Sequence, residues 1–141
     1  MNKNLEQIAL FIKKHHVLTL ASRSENSVDA CSLFYAYEEE NLNFVVASSA
    51  ETQHIQNIKE YSDVAGNILL ETKEIGRIQG LQFKGNFHEL EDGDLRKLYF
   101  KSFPYALAMK PKLWKINVTY FKLTDNRLGF GKKLIWPEPS L

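Results

Sequence analysis

Two hydrophobic periods run along this chain. Leu5, Ile8, Ala9 and Ile12 recur at helical spacing, which predicts an amphipathic helix from Asn4 to about Lys14. Val17–Ala21 is a short apolar run that reads as a strand, and Ser22–Asp29 reads as a polar turn. Ala30–Tyr37 is an aromatic-rich strand that ends at the acidic turn Glu38–Asn41, and Leu42–Ala47 is a third strand. Ser48 to Thr52 breaks the pattern, and Thr52 is placed to cap a helix containing His54, Ile55 and Ile58. Val64–Leu70 and the long Ile78–Leu90 are further strands. Gly80 and Gly85 inside the second of these predict a bulge, a sharp bend or close approach by a ligand. Asp92 or Asp94 is placed to cap a helix with Leu95, Leu98 and Tyr99, which stops before Pro104. A last long strand spans Leu113–Leu123, and Thr124–Trp136 reads as a polar, basic, glycine-containing tail.

The first three strands are joined too tightly for crossover helices, so they form an antiparallel meander. About six strands with two or three flanking helices define a mainly β, α+β chain. A strongly bent sheet of that size closes most easily as a small barrel. At 141 residues the whole chain, 1–141, reads as a single domain, with no repeat or linker. No apolar run approaches the ~20 residues of a membrane helix. The segment Met1–Lys14 lacks an unbroken apolar core and a small-residue cleavage site, so the expectation is a cytoplasmic protein with no signal peptide and no membrane partner.

Charge changes the picture more than composition does. The net charge is +1, yet Arg96–Lys133 holds ten basic residues and one acid, Asp125. That half either faces an anion or is neutralised by the acidic half within the fold. Candidate chemistry is sparse. Ser48, Ser49, Thr52 and His54 leave a strand and enter a helix, where hydroxyls and free helix N–H groups suit a phosphate or simply form a cap. His15 and His16 are adjacent and cannot share one metal if extended, and no ligand spacing for a structural metal occurs. A single axial histidine for haem stays open among His15, His16, His54 and His88. Cys31, the lone cysteine, has no activating histidine near it in sequence and reads as an inert thiol. The tail sequence Gly129–Lys133 fails as a phosphate-binding loop because Asn126 and Lys133 stand where glycine and a hydroxyl are needed. No nucleophile elbow is present. Seventeen aromatic residues show no clustered stacking motif, so nucleic acid is not an expected partner.

Several stretches carry a family resemblance. They are His16–Ser22, Ser32–Tyr37, Thr52–His54, Val64–Gly66, Ile78–Gly85 and above all Lys122–Trp136. Together they resemble the YhbP-like family, a branch of the FMN-binding split-barrel superfamily similar in fold to pyridoxamine phosphate oxidase. The resemblance implies a six-stranded antiparallel split barrel that forms a homodimer with FMN in the cleft between subunits. It places the FMN phosphate at Ser48, Ser49, Thr52 and His54, and the flavin ring along Phe34, Tyr35, Val46 and Ala47. Gln79 and Gln82 would approach a ring edge. The oxidases hold the phosphate with arginine and lysine, whereas this stretch has neither before Lys59. Arg127, Lys132 and Lys133 of the tail are the candidates to supply that charge. The implied function is a flavin-dependent oxidoreductase acting on a small-molecule redox substrate. The alternatives are a non-catalytic or cofactor-free binding module and a haem-binding relative. Flavin chemistry fits a chain without an evident general base, since the cofactor carries the reaction.

Overall fold

The computed structural model describes residues 2–91 and 93–139. Helix α1 (Lys3–Lys14) opens on Asn2, whose side chain accepts the Leu5 N–H. Strands β1 (Val17–Arg23) and β2 (Val28–Glu38) follow, then β3 (Asn43–Ala47), α2 (Gln53–Glu60), β4 (Asp63–Leu69) and β5 (Gln79–Glu89). Helix α3 (Gly93–Ser102), β6 (Leu113–Asp125) and β7 (Lys133–Trp136) complete the chain. Short 3-10 turns span Ile75–Arg77, Pro104–Met109 and Asn126–Leu128.

All pairings are antiparallel, in the order β3-β2-β1-β4-β5-β6-β7, and β3 also pairs with β6. That last pairing closes six strands into a barrel, as expected, and leaves β7 as an extra strand on β6. The tail is therefore not wholly loop. Leu134, Ile135 and Trp136 are half-buried, the Ile135 carbonyl accepts from Asn4 Nδ2 at 3.0 Å, and Trp136 lies 6.3 Å from the Phe121 ring. Three consecutive apolar residues dock where the preceding polar stretch obscures them.

The barrel interior holds Leu18, Leu20, Phe44, Val46, Leu81, Phe83, Ile116 and Phe121, capped by Ile8, Phe11 and Ile12 of α1 and by Ile55 and Ile58 of α2. A second cluster forms outside the barrel, where Leu95 and Tyr99 of α3 cover Ala36, Val45 and Leu113. Several predicted boundaries move. The first hairpin closes over Ser24–Ser27 rather than Ser22–Asp29, with Ser24 N–H bonded to the Ser27 carbonyl at 2.9 Å. β3 starts at Asn43 because Leu42 has φ +59°, a turn conformation. Gly85 sits at a bulge between β5 and β6, where a Cβ would lie 2.4 Å from the Asn117 carbonyl oxygen. Its bareness admits a neighbouring strand, whereas a Cβ on Gly80 would meet nothing closer than Leu69 at 3.8 Å. The expected Asp92 cap lies outside the described residues, and Asp94 sits in the first turn of α3 instead of preceding it.

Candidate functional site

Barrel closure builds the loop between β3 and α2. Ser48 follows β3 directly, and the start of β6 clamps its backbone on both sides. Its N–H donates to the Lys112 carbonyl at 3.1 Å, and its carbonyl accepts from Trp114 Nε1 at 2.9 Å. The turn then folds on itself, with the Thr52 N–H donating to the Ser49 carbonyl at 3.1 Å. Thr52 Oγ1 donates to that same carbonyl at 2.8 Å. Thr52 thus occupies the N-cap position, but its side chain makes no cap bond, so the predicted hydroxyl cap does not form. Among the described residues no side chain caps the first-turn amides of α2, which is the arrangement an anion completes.

His54 knits the cluster together. Its Nε2 is hydrogen-bonded to Ser48 Oγ and lies 3.4 Å from Thr52 Oγ1, while Ser48 Oγ is 3.5 Å from Thr52 Oγ1. Its Nδ1 lies 3.5 Å from Cys31 Sγ. Proton counting assigns the roles. The Thr52 hydroxyl spends its proton on Ser49, so it accepts from its neighbours. Ser48 donates to Thr52 and accepts from His54, which puts the imidazole proton on Nε2. Nδ1 is then the acceptor for the Cys31 thiol. Burial favours this neutral arrangement, since it pushes the His54 pKa below and the Cys31 pKa above their usual values. His54, distant from Cys31 in sequence, stands beside it in space. The raised pKa nevertheless keeps the group a thiol, in line with an inert role.

The remaining predicted residues divide among separate places. Strand alternation splits the proposed ring surface. Phe34 and Ala47 face outward, with Phe34 55% exposed, whereas Tyr35 and Val46 point into the core. The Tyr35 hydroxyl is committed to the Ile12 carbonyl. Gln82 faces outward on β5, but Gln79 is buried and accepts from Arg127 Nη2 at 3.1 Å. Arg127 is held by Asp125, and Lys132 and Lys133 stand together at the start of β7. Ser48 adjoins the first residues of β6 and Arg127 follows its last, so within one chain the tail and the hydroxyl loop lie at opposite ends of that strand. Lys112 meets Ser48 through its backbone carbonyl. Its ammonium sits 4.9 Å over the Trp114 ring and 3.1 Å from Glu89. Neither Lys112 nor Trp114 was identifiable locally, because both reach the loop only through the β3–β6 pairing.

The outer face of β2, β1, β4 and β5 is uncharged over a wide area. The register aligns Ser32, Thr19, Asn67 and Gln82 in one row, flanked by Ala21, Ala65, Val17 and Phe34. Arg23, Asp63, Lys84 and Lys122 stand at its margins. No helix of the described residues is long and apolar enough to cross a membrane. Among the described residues no group of three or more His, Cys, Asp or Glu is placed to hold a metal.

A six-stranded antiparallel barrel with a helix entered from the end of its third strand defines the split-barrel class of fold. Solved structures of that shape agree. A haem-binding protein from Mycobacterium smegmatis superposes with TM-score 0.77 at 15% identity, over 96% of this chain and 58% of its own longer chain. An FAD-binding protein from Mesorhizobium loti superposes with TM-score 0.71 at 13% identity, over 84% of this chain and 90% of its own. In sequence, the UPF0306 protein YhbP of Escherichia fergusonii is 35% identical over 98% of this chain and 96% of its own length. The chain belongs to the UPF0306 family of YhbP. No family model matches it.

Proposed function

We propose that this protein binds FMN as a homodimer and uses it as an oxidoreductase on a small-molecule substrate. The observation that carries the reading is the Ser48–Thr52–His54 cluster. Hydroxyls and an imidazole converge within 3.5 Å of one another, at a helix start whose threonine does not cap it. Such a cradle suits a phosphate, which would draw the Ser48 and Thr52 protons from their partners within the loop and take the α2 amides as further donors. The FAD-binding neighbour supports a flavin on this fold. The uncharged outer face, which includes the exposed Phe34, suits burial against a second copy. In that arrangement Phe34, Ala47 and Gln82 present the ring surface, and the partner's tail offers Arg127, Lys132 and Lys133. Flavin supplies hydride or single-electron chemistry, and the chain's own residues bind it, orient it and exclude water.

The placement predicts a specific loss. Thr52→Ala and His54→Ala each weaken FMN binding by about tenfold, the scale of one hydrogen bond to a charged group. Riboflavin, which lacks the phosphate, is affected far less. Fluorescence titration of both ligands measures the difference, and equal loss of the two contradicts the phosphate placement. Haem is the second reading, supported by the haem-binding neighbour and by His15 and His16, whose rings accept or donate no hydrogen bond among the described residues. Alanine at one histidine then abolishes cofactor retention altogether.

A further inference from the structure

Helix α3 turns one face inward and the other to solvent. Leu95 and Tyr99 are buried in the second cluster, against β2, β3 and β6. On the opposite face Arg96, Lys97, Phe100 and Lys101 line an open groove, which Leu107 of the following 3-10 turn completes. No carboxylate lines that groove. From Gly93 to Lys110 the chain carries four cations, Arg96, Lys97, Lys101 and Lys110, against one acid, Asp94. None of the four forms an ion pair among the described residues. The Arg96 guanidinium lies 5.7 Å from the Phe100 ring centre, a contact that leaves its charge uncompensated.

The turn Pro104–Met109 keeps unusual company for its apolar side chains. Ala106 packs against the second cluster, whereas Tyr105, Leu107 and Met109 are 93%, 58% and 82% exposed. Single exposed apolar residues are ordinary, but three on one turn, beside cations without partners, mark an interaction surface. Aliphatic, thioether and phenol groups bordered by lysine and arginine form the set that enters the headgroup boundary of a lipid layer. Nucleic acid supplies anions but no apolar phase for Leu107 and Met109. The absence of a long apolar helix bears on spanning a membrane, not on lying at its surface.

We infer that the α3 groove and the Pro104–Met109 turn dock on an anionic lipid bilayer. Leu107 and its exposed neighbours enter the headgroup layer, and Arg96, Lys97 and Lys101 meet lipid phosphates. Both parts are needed, since a few apolar side chains bind marginally and a few cations are screened by salt. Binding requires no flavin and does not rest on the FMN reading. The test is co-sedimentation of the full chain with phosphatidylcholine vesicles, with and without phosphatidylglycerol. The mixed vesicles are expected to bind at least about tenfold tighter, because each lysine near an anionic surface contributes about fivefold. Raising salt from about 0.1 M to about 1 M shortens the screening length from about 10 Å to about 3 Å and is expected to remove that advantage. Lys97→Ala/Lys101→Ala is expected to lose about tenfold or more, and Leu107→Ser/Met109→Ser several-fold. Lys59→Ala/Lys73→Ala removes the same charge elsewhere on the surface and binds as the parent. All six side chains belong to exposed residues, so the fold is kept, which thermal melts check. Equal binding to neutral and mixed vesicles overturns the inference, and so does equal loss in the two lysine pairs. Absence of binding to the mixed vesicles overturns it as well, and retention on immobilised polyglutamate in that event marks an acidic protein partner instead.

Discussion

Asp125 shows how a single residue fastens one end of the barrel. It is 4% exposed, and its carboxylate accepts from the Arg127 backbone N–H and Nε, both at 3.0 Å, and from Nη2 at 2.9 Å. These bonds lower its pKa, the Arg127 side-chain hydrogen bonds most of all. A lowered folded-state pKa means that the carboxylate stabilises the fold above its ordinary value of 3.8, and that the contribution is lost as pH falls through the lowered value. Asp125→Asn is expected to cost about 1–3 kcal/mol near neutral pH, the scale of hydrogen bonds to a charged group. Urea titrations should show that gap closing in acid, and a pH-independent gap contradicts the assignment. Residues differ in how far the sequence betrays them. Ser48, Thr52 and His54 stand close together in the chain, and their cluster could be anticipated. Cys31 joins them only because the β1–β2 register, Leu20 opposite Cys31, faces it toward α2.

At the scale of elements, alternation and helical periodicity carried most of the fold. The helix α1 and the strands β1 to β6 follow directly from the apolar pattern. What stayed hidden depends on contacts distant in sequence. β7 is a short apolar run after a polar turn, and only its docking on β6 and α1 makes it a strand. Barrel closure by β3 and β6 joins residues about seventy positions apart, such as Phe44 and Ile116, and no local signal reports it. Glycine was the clearest marker of crowding, yet the tightest position is not in β5. A Cβ on Gly66 in β4 would lie 2.3 Å from Phe83 Cζ and 2.4 Å from the Thr19 carbonyl oxygen. The second contact is with the backbone of β1 and cannot yield cheaply. Gly66→Ala is expected to destabilise the barrel by about 1–3 kcal/mol, the usual cost of overpacking. A thermal melt checks this, and an unchanged midpoint contradicts so close an approach of β1 and β4.

For the whole molecule, the distribution of charge and polarity matters more than the totals. The basic second half of the chain is partly answered inside the fold, at Lys112 with Glu89 and at Arg127 with Asp125. The rest of that half remains as a basic surface contributed by α3, β6 and the tail. In one protomer the hydroxyl loop lies on the α2 side of β2 and Phe34 on the opposite face, so the proposed FMN site needs a second copy to bring phosphate and ring surfaces into one cleft. Its uncharged outer sheet is the surface on which that copy would sit. The most direct test is gel filtration with light scattering after incubation with FMN, recording flavin absorbance across the protein peak. Binding in a dimer cleft predicts a peak at twice 16.3 kDa that carries flavin equal in moles to the chain. A colourless peak, or flavin carried by a monomer, contradicts it.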